Sequence, residues 1–125
     1  MSAVFGDSRT IPASDKAKDC MKQLQTKGLF KEQRDVWTLG AALGITIGNS
    51  MPIDKTGKRD TFQNVNSLDP EGIFAALMLG LYPDLEPEKR LDKLVDHAEW
   101  GIRQLYDKEQ NGTLDFFKLG LKATL

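Results

Sequence analysis

Cysteine and histidine are almost missing from this chain. The lone cysteine, Cys20, has no partner for an intrachain disulfide and makes no CxxC zinc site; the lone histidine, His97, excludes a His-rich metal centre. Excess charge is missing too. Lys+Arg number 17 against 18 Asp+Glu, a net −1, which excludes a bulk polycation for nucleic acid and a solvated acidic tail. The longest apolar stretches, 36–47 and 73–82, fall short of the roughly 18–20 residues of a bilayer crossing, and glycine interrupts both. The segment Met1 to Asp7 lacks the basic and apolar regions of a secretory signal, so a cytoplasmic, reducing compartment without membrane contact is expected. Without repeats or low-complexity tracts, the 125 residues form one helical domain, 1–125, which needs neither metal nor disulfide to fold.

What is present reads as helix. Residues 9–13 form a short extended piece, with Pro12 restricting it to a strand end or sheet edge. Ser14 is a helix N-cap, and Ala17, Cys20, Met21 and Leu24 give the following helix one apolar stripe; Gly28 ends it. A second helix covers about 33–47 and is apolar nearly all round, which places it in the middle of a fold. Gly40, Gly44 and Gly48 recur every fourth residue along it, so one edge lacks side chains and admits another backbone. Residues 49–67 are polar and turn-rich, a long connection. Asp69-Pro70 starts a helix that runs to Leu81, again apolar nearly all round. Leu91, Leu94, Val95, Ala98, Ile102 and Leu105 mark one face of a helix from Pro87 to about Glu109, and Leu114, Phe117 and Leu121 suggest a last short one. The expected fold is mainly α: about five helices around a central glycine-bearing helix, with at most one short N-terminal strand.

Catalytic constellations are weak. Cys20 and His97 have no nucleophile motif or orienting acid beside them, and Cys20 sits on an apolar stripe. Asp92, Asp96 and Glu99 share a helix face, but Arg103 follows Glu99 at i+4, the spacing of a surface ion pair. Asp107 to Lys118 imitates a calcium-binding loop through Asp107, Glu109, Asn111 and Gly112; position twelve, where calcium needs a bidentate Glu, holds Lys118. No phosphate-binding glycine motif occurs. A non-enzyme without cofactor or metal is the expectation.

Two binding readings remain. A short strand, a Lys-rich helix, a turn and a second helix follow the element order of ribbon-helix-helix DNA-binding proteins, which pair strands between two copies. Six basic residues between Lys16 and Arg34 face two acidic ones, and the chain divides into a basic first half and an acidic second half. The DNA candidates are Arg9, Thr10, Lys16, Lys18 and Lys22, joined by Lys55, Lys58 and Arg59 of the long connection. Trp100, in contrast, falls half a turn from the stripe of its helix, so it is either covered by the 49–67 connection or a contact anchor for another protein. His97 and Arg103 on the same segment complete the partner-binding candidates.

Two stretches carry a family resemblance. Gly28-Leu-Phe-Lys-Glu-Gln-Arg-Asp-Val-Trp-Thr-Leu-Gly-Ala-Ala-Leu-Gly44, followed by Met51-Pro-Ile-Asp54, resembles the small proteins associated with DNA phosphorothioation (dnd-type) defence cassettes. His97-Ala-Glu-Trp-Gly-Ile-Arg-Gln-Leu105 is similar to a later helix of that family. The matching pieces cover about two-fifths of the chain and consist of hydrophobic and glycine positions. The resemblance implies an accessory role in bacterial antiphage defence, with a larger protein of the same cassette as partner; it brings no active site. A DNA-binding module or repressor is the alternative, and self-association is a further expectation.

Overall fold

The computed structural model describes residues 2–6, 10–53 and 61–115. Its elements run α1 (Ser2–Phe5), β1 (Thr10–Pro12), α2 (Asp15–Thr26), α3 (Gln33–Ile47), β2 (Thr61–Asn64), α4 (Val65–Leu68), α5 (Ile73–Leu81) and α6 (Pro87–Gln110). The fold is mainly helical with one two-stranded antiparallel sheet.

Local chemistry sets most of these boundaries. Ser14 caps α2, its Oγ accepting from Ala17 N at 3.0 Å. Past the end of α2, Gly28 takes a left-handed φ of 80° that a side chain resists. Pro87 opens α6, and Gly112, again left-handed, follows its end. The start of α5 departs from the expected Asp69-Pro70 cap. Gly72 occupies the N-cap position with φ 72°, and the chain folds back so that Asp69 reaches over the first turn. The Asp69 carboxylate accepts from Phe74 N at 3.0 Å and from Ala75 N at 2.9 Å, satisfying two donors that a helix start leaves open.

The connection 49–67 also differs from a plain loop. Thr61–Asn64 pairs with β1, and α4 follows at once. The register is Thr10↔Asn64, Ile11↔Gln63 and Pro12↔Thr61, irregular between Ile11 and Pro12, where proline has no N–H to donate. The final short helix expected around Leu114, Phe117 and Leu121 lies largely outside the described residues; Leu114 itself is non-helical and packs against the core.

The glycine edge of α3 is the tightest contact. A Cβ on Gly40 would lie 2.8 Å from Ile102 N, and one on Gly44 would collide with the His97 carbonyl. The close approach is mutual: a Cβ on Gly101 would collide with the Gly40 carbonyl. Gly48, expected to extend this edge, instead ends α3 with φ 82° and faces open space. The hub of the domain is α6, which meets α1, α2, α3, α5 and β1. Around it lie Phe5, Ile11, Met21, Leu24, Trp37 and Met78, all essentially without solvent contact.

Candidate functional site

Four of the seven large apolar side chains exposed among the described residues sit on α5. Phe74, Ala75 and Met78 point inward, Phe74 meeting the Trp37 ring edge-on at 5.6 Å between centroids. They cover only about a third of the helix circumference at 100° per residue. Ile73 (57%), Leu77 (44%), Leu79 (44%) and Leu81 (52%) keep about half of their surface in solvent. Ile73, Leu77 and Leu81 lie within about 80° of one another around the helix, with Leu79 apart on the other flank; contiguous exposed apolar side chains mark contact surfaces more often than scattered ones do. A helix apolar all round reads as buried from its sequence; here α1, α6 and Trp37 of α3 cover one side of α5 and leave Ile73, Leu77 and Leu81 in solvent.

The partner-binding candidates on α6 separate. Trp100 is half-buried and packs against the core, so it is less open than its phase on the helix suggests. His97 is 2% exposed and unavailable to a partner. Its Nδ1 lies 2.7 Å from the Asn49 carbonyl, which can only accept, so Nδ1 donates and the neutral Nε2 accepts from the Tyr82 hydroxyl at 2.8 Å. Burial pushes the His97 pKa below its ordinary value, with Lys93 adding repulsion against the carbonyl bonds of Asn49 and Gly44. The same stretch of α6 straps down the chain after α3: Lys93 Nζ donates to Ser50 Oγ at 3.0 Å and Met51 N to the Asp96 carbonyl at 3.0 Å. This is structural work, and the reason lies in the glycine edge. Close approach of α3 to α6 brings the end of α3 down onto the His97 ring.

Arg103 and Glu99 also differ from expectation. The expected i,i+4 pair is present, but Glu99 is 2% exposed and not at the surface, because the start of α2 lies over it. Its carboxylate accepts from Ser14 Oγ at 2.6 Å and Ser14 N at 3.1 Å, while Arg103 Nη2 stands 3.7 Å away. Ser14 therefore joins the helix it caps to α6, a role that local sequence could not disclose. Arg90 is likewise buried. It donates to the carbonyls of Tyr82 (2.9 Å), Val4 (3.1 Å) and Pro83 (2.9 Å), fixing α1 and the α5–α6 turn.

Cys20 and His97 are both buried in the core. Burial raises the Cys20 thiol pKa, opposite to what a reactive cysteine requires, and the His97 ring nitrogens are engaged elsewhere. Among the described residues no three of His, Cys, Asp and Glu are grouped to hold a metal ion. Asp107 and Glu109 of the calcium-like stretch are helical, and Glu109 pairs with Lys27 at 2.6 Å. An open polar depression of about 570 Å³ lies where α2 ends and α3 begins, with Gln25, Gln33, Arg34 and Phe62 in its lining.

Half of the DNA candidates can be placed, and of these Lys18 and Lys22 share a face of α2 at i and i+4. Arg9, Lys55, Lys58 and Arg59 lie outside the described residues. Thr10, Lys16 and Lys22 are exposed and Lys18 is half-buried. Lys16 and Lys18 flank opposite borders of the buried stripe of α2, roughly 200° apart around the helix, so they share no face. The strand that a ribbon-helix-helix protein pairs with a second copy is here paired within the chain, to β2. No described helix is long and apolar enough to cross a membrane. No protein-family model, curated protein or solved structure was found to match this chain.

Proposed function

We propose that this protein is a non-enzymatic binding module that holds a partner protein against the outward face of α5. The accessory role in a bacterial defence cassette implied by its sequence resemblance is part of the proposal, with a larger protein of that cassette as partner. The observation that carries the binding reading is the exposure of Ile73, Leu77 and Leu81 along one side of a helix without a charged residue. Leaving such side chains in water has a cost that a partner removes, at about 25 cal/mol per Å² of apolar area covered. The intrachain pairing of β1 counts against the ribbon-helix-helix alternative.

The test is co-purification of the full chain with the cassette proteins from a native host, comparing wild type with Leu77→Ser/Leu81→Ser. Both leucines are about half buried, so the double substitution is expected to cost about 1–3 kcal/mol of stability, which the melt reads apart from binding. Recovery of the cassette protein is expected to fall at least about tenfold, the size of a contact worth 1.4 kcal/mol or more. Undiminished recovery overturns the reading.

A further inference from the structure

We infer that the α5 face takes a lysine- or arginine-bearing amphipathic helix of a separate protein. The inference rests on the binding-module reading and adds the chemistry of the partner.

Shape is the first argument. Ile73, Leu77 and Leu81 repeat at i, i+4 and i+8 and form a ridge, with Ala76 and Gly80 beside it at i+3 and i+7. A Cβ on Gly80 would meet nothing within 4 Å, so the groove beside the ridge is open. A ridge flanked by a groove is what a second helix packs onto. The nine residues of α5 make this stripe about 13 Å long, two to three helical turns.

Charge is the second. Residues 61–88 hold Asp69, Glu71, Asp84, Glu86 and Glu88 and no Lys or Arg. Asp69 is consumed in capping α5. Glu71 before the helix, and Asp84 and Glu86 after it, are exposed, so carboxylates bound the apolar stripe at both ends. The next cations along the chain are Lys89, exposed on the first turn of α6; Arg90, spent on three carbonyls; and Lys93, bonded to Ser50 and 5.8 Å from the centre of the Tyr82 ring. Complementarity therefore calls for a partner with cations at both ends of its apolar stripe.

The same carboxylates count against other occupants. A second copy packed antiparallel sets Glu71 against Asp84 and Glu86, and packed parallel it sets like ends together, so acid meets acid either way. An anionic membrane surface is repelled for the same reason. The chain's own residues 116–125 carry Lys118 and Lys122 without an acid. On a helix those two lie only about 6 Å apart, too close to serve both ends of the stripe.

The probes are two synthetic helical peptides with one apolar stripe, bearing lysines at both ends in one and glutamates in the other, titrated into the full chain by fluorescence anisotropy. At low salt the lysine peptide is expected to bind at least about tenfold tighter, and the margin to shrink below about threefold in 1 M NaCl, where the screening length is about 3 Å. Glu71→Gln/Glu86→Gln should narrow the margin, while Leu77→Ser/Leu81→Ser should abolish binding of both peptides. Equal affinities overturn the charge inference and leave the binding-module reading standing. Failure of both peptides to bind overturns the inference. The co-purification above then decides the binding reading separately. Dimerisation abolished by Leu77→Ser reassigns the face to a second copy. Tighter peptide binding by Lys118→Gln/Lys122→Gln reassigns it to the chain's own terminus.

Discussion

Helices α3 and α5 read alike in the sequence, each apolar on nearly every side, yet they are covered to different extents. α3 puts Gly40 and Gly44 against the backbone of α6 and buries Val36, Trp37 and Ala41 around them. α5 buries Phe74, Ala75 and Met78 and leaves Ile73, Leu77 and Leu81 in solvent. The difference lies in what each helix offers its neighbours. Glycines on both sides of the α3–α6 crossing let the two backbones touch, so one side of α3 is covered by the hub helix α6. On α5 the glycine, Gly80, faces outward and draws no neighbour in. Apolarity alone therefore does not bury a helix; a complementary surface has to exist.

The sharpest way to break the comparison is to add one methyl group to each crossing. Gly101→Ala is expected to have the largest effect, because its Cβ collides with the Gly40 carbonyl and only separation of the two helices relieves the clash. Backbone overpacking of this kind should cost about 3 kcal/mol or more, read as a melt lowered by ten degrees or lost. Gly44→Ala should behave alike. A melt within error of wild type would show that the crossing is loose.

Acid probes the same crossing through His97. Its folded pKa lies below the unfolded value near 6.5, so the unfolded state takes up a proton first. The contribution is complete above that value and is lost as pH falls through it toward the folded pKa. Wild type is therefore expected to lose stability below about pH 6.5 more steeply than His97→Asn, measured by urea unfolding across pH. Parallel slopes would remove His97 from the account.

The smallest effect has the opposite sign. Gly80→Ala places a methyl group in open space within a helix, where alanine is favoured over glycine by about 0.8–1 kcal/mol. The melt should rise by about 2–5 °C. A fall would mean that the groove beside Gly80 is already filled, and the docking face with it.

The sequence alone determined the elements whose signals are local. Ser14 as a cap, Gly28 as a stop, Pro87 as a start, the stripe of α6 and the glycine edge at Gly40 and Gly44 all follow from backbone chemistry or a period of 3.6 residues. Tertiary structure decided which apolar faces found partners and what became of the polar groups of α6. Gly101 as the counterpart of Gly40, Glu99 as the acceptor for Ser14, and His97 locked between Tyr82 and Asn49 each join residues 48 or more positions apart, except the Tyr82 bond at 15. Propensity and periodicity describe one helix at a time. Whether a given face meets another surface depends on the packing of all of them together, which is why the exposed side of α5 became visible only in the folded chain.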